Sequence, residues 1–128
     1  MRCPRAIPLA AAALALAIAM PGQAGARTRS FHTRSGDVRC LVSHIESRAA
    51  RLRCDLRFLH RQAALLRRTG KARIVAVQRP LRRSGPVLRL GATYHFGPFV
   101  CVSHPATLSC RTKHGHGFTL GRRFQLVF

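Results

Sequence analysis

Carboxylates are the scarcest reactive groups in this sequence of 128 residues: Asp37, Glu46 and Asp55 stand against 23 lysines and arginines and seven histidines. Glycoside hydrolysis requires two carboxyl groups facing one another across the scissile bond. Asp37 reads as a turn residue and Asp55 follows a cysteine on the polar face of a strand, so Glu46 has no second carboxylate to work with. Phosphodiester cleavage needs a base, an acid and a cation gathered around phosphate. Glu46, its neighbour His44 and the arginines supply those types, but His32, His60, His95, His104, His114 and His116 are scattered. No Gly-x-Ser-x-Gly elbow is present to present a nucleophilic serine. His114-Gly115-His116-Gly117 places two histidines one residue apart, a spacing that suits zinc or copper. No third ligand accompanies them, and the glycines read as a tight turn leading into Phe118-Thr119-Leu120. No catalytic residue, metal or cofactor is therefore expected.

The remaining chemistry lies in the cysteines. Residues 1–26 read as an export signal: Arg2 and Arg5 precede an apolar run over 8–20 holding seven alanines, then Pro21-Gly22 and the small residues of Ala24-Gly25-Ala26. At thirteen residues the run falls short of the ~20 needed to span a bilayer core. Cys3 lies inside this leader, which leaves Cys40, Cys54, Cys101 and Cys110 in residues 27–128. An even number of cysteines in an exported chain points to disulfides and an extracytoplasmic location. Of the three connectivities available, Cys40–Cys54 with Cys101–Cys110 is expected, on the geometry of the second pair. Phe99-Val100-Cys101-Val102-Ser103 and Leu108-Ser109-Cys110-Arg111 flank the turn His104-Pro105-Ala106-Thr107. If Ser103 pairs with Leu108, Cys101 falls opposite Cys110, and facing side chains point to one side of a sheet.

The elements that must hold these cysteines are mostly strands. Phe31-His32-Thr33 is extended, Arg34-Ser35-Gly36-Asp37 is a turn, and residues 38–42 begin an alternating run. Residues 51–56 alternate strictly, with Leu52, Cys54 and Leu56 on one face, which is the signature of a half-buried strand. Residues 58–68 break the pattern: Phe58, Leu59, Ala63, Leu65 and Leu66 lie at helical spacing, with Gly70 as a stop, so one short helix is expected here. Residues 74–77 are a short β-branched run, 79–86 a proline-containing loop, and 87–96 a strand interrupted at Gly91. Gly97-Pro98 turns the chain into a strand over 99–102, and runs over 118–120 and 124–128 close it, with Phe118, Leu120, Phe124, Leu126 and Phe128 read as core. The reading is a mostly β, single-domain antiparallel fold with two disulfides. The two cysteine pairs sit in loosely similar units of strand, cysteine, loop, strand and cysteine, from which no repeat is inferred.

The stretch Phe31-His32-Thr33-Arg34-Ser35-Gly36-Asp37-Val38-Arg39-Cys40 resembles the opening of a family of small exported proteins of high-GC bacteria, a domain of unknown function. Leu52-Arg53-Cys54-Asp55-Leu56 is similar to the family's second cysteine motif. So are Leu90-Gly91-Ala92-Thr93-Tyr94-His95-Phe96-Gly97-Pro98-Phe99-Val100-Cys101, Leu108-Ser109-Cys110-Arg111 and Gly115-His116-Gly117-Phe118-Thr119-Leu120 to its ending. Arg34 and Asp37 stand where that pattern has proline and asparagine, and residues 57–89 lack the additional cysteines and acids of many relatives. The resemblance implies export and a cysteine-anchored small domain; it implies no activity.

Charge is the other strong feature. The formal charge is +20, and +18 once Arg2 and Arg5 are removed with the leader. Such a surface attracts polyanions: nucleic acid, cell-wall polymers or anionic lipid heads. Only Lys71 and Lys113 are lysine, so arginine bias of GC-rich coding is a competing source of the same charge. The densest cluster, Arg67, Arg68, Lys71, Arg73, Arg79, Arg82 and Arg83, is the candidate polyanion-binding set. With one tyrosine, seven phenylalanines and no recognisable nucleic-acid motif, base-specific recognition is not expected. The expected function is non-catalytic binding or structure outside the cytoplasm, through non-specific contact with an anionic polymer or membrane surface. A small phosphodiester hydrolase and a cationic antimicrobial or toxin-like protein are the alternatives.

Overall fold

Each half of the chain carries short alternating runs separated by tight turns, and each half folds as an antiparallel meander. The computed structural model describes Arg2, Pro4 and Arg27–Phe128, so the leader expected over residues 1–26, with Cys3, lies outside the described residues apart from those two. The first half forms β1 (Arg29–His32), β2 (Val38–Ser43), β3 (Arg51–Leu56), β4 (Gln62–Arg67) and β5 (Arg73–Ala76), paired in chain order. The second forms β6 (Thr93–Phe96), β7 (Phe99–Ser103), β8 (Thr107–Thr112), β9 (Gly117–Gly121) and β10 (Gln125–Val127), again in chain order. The two five-stranded sheets share one apolar core.

Period-two alternation decides which residues enter that core. Val38, Cys40 and Val42 of β2 and Leu52, Cys54 and Leu56 of β3 are buried on the inner face, as are Phe99 and Cys101 of β7, Leu108 and Cys110 of β8, and Phe118 and Leu120 of β9. Each fully buried leucine or phenylalanine contributes about 1.5–3 kcal/mol. Phe31 of β1 stacks on Phe96 of β6 with ring centroids 4.4 Å apart, fixing the first strand of one sheet against the first strand of the other. The β6–β7 turn seats Gly97 against the β2–β3 loop, where an added Cβ would lie 2.6 Å from the Ile45 carbonyl oxygen. At the other side Ala72 donates its N–H to the carbonyl of Phe128.

Both disulfides form as expected, Cys40–Cys54 and Cys101–Cys110. Ser103 pairs with Leu108 and Cys101 lies opposite Cys110, the register the β7–β8 hairpin requires. Two disulfides fit an oxidising, extracytoplasmic environment. Their positions also reveal an order that the sequence similarity understated. One row across the first sheet runs Phe31, Cys40, Cys54, Ala64, Ile74; the matching row across the second runs Tyr94, Cys101, Cys110, Phe118, Val127. Each sheet thus joins its second and third strands covalently and leads with an aromatic residue.

Three expectations are corrected. The segment 58–68 forms no helix: residues 57–61 turn and Gln62–Arg67 is β4. Gln, Ala, Leu and Arg favour helix intrinsically, but pairing with β3 and β5 satisfies the backbone of this segment on both sides. Its small residues make that possible, Ala64 lying against Cys54 inside and Ala63 beside Asp55 outside. The expected strand over 87–96 shrinks to β6, and residues before it make only isolated bridges, Val87 to His32 and Leu90 to Ser103. Finally, Phe118 and Leu120 are core, whereas Phe124, Leu126 and Phe128 are exposed, the first two by 52% each. The last strand pairs on one side only, so its outward residues meet solvent.

Candidate functional site

Alternation that buries the cysteines turns the intervening residues outward. On the first sheet these are Arg39 of β2, Arg51, Arg53 and Asp55 of β3, Leu65 and Arg67 of β4, and Arg73 and Val75 of β5. The five strands of that sheet carry six arginines in all, Arg29, Arg39, Arg51, Arg53, Arg67 and Arg73. The five strands of the second sheet carry one, Arg111. Arg111 is the one cationic side chain on its outward strand positions, where Ser109 and Thr119 pair their hydroxyls at 3.0 Å.

Residues 79–86 cross the outer face of the first sheet as a strap and add Arg79, Arg82 and Arg83 to it. Asp55 is the anchor. This buried carboxylate accepts two hydrogen bonds from Arg53, Nε at 2.7 Å and Nη2 at 3.0 Å, and one from the Leu81 N–H at 2.7 Å. Arg53 Nη2 also donates to the Arg79 carbonyl at 2.6 Å and Arg39 Nη1 to the Leu81 carbonyl at 3.4 Å. At the far end, buried His32 lies 3.2 Å from the Ser84 carbonyl through Nδ1 and 3.3 Å from Arg83 Nε through Nε2. A neutral ring protonated at Nδ1 satisfies both, donating to Ser84 and accepting from Arg83. Gly85 closes the strap at φ 73°, where a Cβ would lie 1.9 Å from the Ser30 carbonyl oxygen.

The face is cationic with almost nothing to neutralise it. Arg51 and Arg67 sit directly opposite one another across β3 and β4, an arrangement that repels. Burial pushes the Arg39 guanidinium below the usual arginine value; repulsion from Arg57 and Arg83 adds to this and attraction to Asp55 opposes it. Arg39 Nε is buried with no hydrogen-bond partner. Every side-chain carboxylate of the chain is already engaged: Glu46 with Arg27 at 2.8 Å, Asp55 with Arg53, and Asp37 with Arg122 at 2.9 Å.

Of the seven residues in the predicted set, Arg67, Arg73, Arg79, Arg82 and Arg83 share the outer face and its strap. Lys71 stands exposed in the turn between β4 and β5. Arg68 leaves the group: alternation sends it to the opposite side of β4, where Nε and Nη2 donate to the Ser47 carbonyl at 3.2 and 2.9 Å. The sequence cluster missed Arg39, Arg51, Arg53, Arg57 and the anchoring role of Asp55. A signal for most of these was present, because Arg51, Arg53 and Asp55 alternate with the buried Leu52 and Cys54 and so share the outer face.

Glu46 is exposed in its ion pair with Arg27, and His44 occupies the β2–β3 turn at φ 53° with its carbonyl accepting from Ser47. His114 is exposed, and the carbonyl of His116 accepts the Thr112 N–H in a turn completed by Gly115 at φ 82°. Among the described residues, no three His, Cys, Asp or Glu side chains converge as a metal site requires. Comparison with protein-family models, curated proteins and solved structures gave no match to this chain.

Proposed function

We propose that this chain is an exported, non-catalytic binding protein that engages polyanions, such as cell-wall polymer or nucleic acid, through the strapped outer face of its first sheet. The observation that carries the reading is the asymmetry of charge: five outward strand arginines on the first sheet, Arg39, Arg51, Arg53, Arg67 and Arg73, against one, Arg111, on the second. Coding bias alone has no reason to respect a sheet boundary. The strap supports the reading further, because Asp55 spends its charge on holding Arg53 and Leu81, which leaves Arg79, Arg82 and Arg83 oriented and unneutralised. Secretion by way of a leader over residues 1–26, and the kinship suggested by the Phe31–Cys40 and Leu52–Leu56 motifs, belong to the same proposal.

Binding through such a face releases counterions, so affinity falls with salt in proportion to the phosphates contacted, with a log–log slope of about −0.9 per contact on duplex DNA. The test is a salt titration of the disulfide-intact chain against duplex DNA, purified cell-wall polymer and anionic vesicles. Replacing Arg67, Arg73, Arg79, Arg82 and Arg83 by glutamine should flatten the DNA slope by about four. An unchanged slope refutes the face as the binding surface. Preference for one polymer near physiological salt would name the partner class.

A further inference from the structure

A second site lies at one end of the sandwich, where the β1–β2, β7–β8 and β9–β10 turns meet. A cavity of about 380 Å³ opens there between the sheets, within the range of about 300–1,000 Å³ typical of small-molecule sites. Val38, Leu108 and Leu120 come to it from the inner faces, and Phe58, Leu90 and Phe124 complete its apolar lining. Leu90 and Phe124 are exposed by 45% and 52%.

Two polar features convert this hollow from a packing defect into a site. Ser103, 1% exposed, lines the cavity, and its hydroxyl is buried without any hydrogen-bond partner. An unsatisfied buried hydroxyl is destabilising, and a ligand atom that reached it would supply the missing partner. The lining also includes Arg34 from the first sheet and Arg122 and Arg123 from the second. Arg122 is held by Asp37, whose hydrogen bonds and charge raise the guanidinium above the usual arginine value. Asp37 lines the cavity as well, with both its oxygens taken by Arg122; Arg34 and Arg123 have no carboxylate partner, because Glu46 and Asp55 are engaged elsewhere.

We propose that this cavity binds a small amphipathic monocarboxylate. Its carboxylate meets Arg34 and Arg123, its hydrocarbon body fills the apolar lining, and a hydroxyl or carbonyl at its far end meets Ser103. The inference is independent of the polyanion face, and its residues are different ones.

The test uses the disulfide-intact chain and four probes in calorimetric titration: decanoate, ω-hydroxydecanoate, decanamide and decylammonium. Decanoate should bind at one site, each methylene removed from the chain weakening it about fourfold. ω-Hydroxydecanoate should bind about fivefold to tenfold more tightly than decanoate, and Ser103→Ala should erase that difference while leaving the ligand-free Tm unchanged or raised. The combined Arg34→Gln and Arg123→Gln variant should erase the preference for decanoate over decanamide. Arg67→Gln with Arg73→Gln should leave every probe unaffected. Equal binding of decylammonium and decanoate would overturn the charge assignment. A terminal hydroxyl without effect, or a Ser103→Ala variant with a lowered Tm, would overturn the role of Ser103. Loss of decanoate binding on changing Arg67 and Arg73 would reduce it to diffuse attraction. A peptide ending in phenylalanine that outcompetes ω-hydroxydecanoate a hundredfold would assign the cavity to a protein C terminus instead.

Discussion

Asp55→Asn isolates the anchor of the strap with the smallest change of shape. Asparagine keeps the volume, and its carbonyl oxygen can still accept from the Leu81 N–H. Its amide nitrogen, however, would face Arg53 Nε donor to donor, where Oδ1 now accepts at 2.7 Å, while the oxygen that keeps Leu81 also keeps Arg53 Nη2. Hydrogen bonds to a charged group contribute about 1.5–3 kcal/mol each. The Arg53 side chain is 27% exposed, so water recovers part of that loss, and about 2–3 kcal/mol is the expected net cost. For a domain of this size each kcal/mol moves Tm by about 4–8 °C, which places the fall at roughly 8–24 °C. Thermal unfolding measures this, and hydrogen exchange at the Leu81 amide reports the strap directly. Trypsin cleavage after Arg82 and Arg83 should accelerate as the strap lifts. Adding Arg53→Met should restore part of the lost stability, because the orphaned guanidinium goes with it. A Tm within about 3 °C of the parent, with Leu81 still protected, would refute the account of Asp55 as anchor.

Two more predictions follow from the fold. Removing Cys101 and Cys110 together by alanine should cost about 3 kcal/mol in chemical denaturation, and removing Cys40 and Cys54 nearly the same. Their separations of 9 and 14 residues enter only as a logarithm, so a difference above about 2 kcal/mol would refute chain entropy as the common cause. Gly85→Ala should release the end of the strap from β1, since positive φ costs a Cβ about 1–2 kcal/mol before the clash with Ser30 is counted. Exchange at the His32 and Leu88 amides, which bond to Pro86 and His32 carbonyls, checks this; protection unchanged there would refute it.

Where the sequence alternates between one sheet face and another, it is readable. β3 occupies the 51–56 run, and the β7–β8 register follows from turn length and cysteine spacing. It misleads at β4, because Gln62-Ala63-Ala64-Leu65-Leu66 favours helix locally and only the neighbouring strands make extension profitable. The cationic face was half legible. Clustering in sequence found the strap and the β4–β5 arginines, but it also gathered Arg68, which alternation sends to the other side. It passed over Arg39 and Arg53, which are remote in sequence and adjacent in the sheet. The cavity had no signal at all, because three turns from distant parts of the chain build it.

The disulfides tie strand to strand within each sheet and never one sheet to the other. Among the described residues, the sheets are joined by side-chain packing, a few backbone hydrogen bonds, the Asp37–Arg122 pair and the connecting segment from β5 to β6. Each half is therefore a separately stapled leaf, joined to the other along the chain by one connecting segment. Two molecules can exchange leaves, each rebuilding the same interior with its neighbour's half, and no covalent bond need break. Concentrated protein held near its unfolding temperature has an open route to an intertwined dimer whose disulfides are all intramolecular.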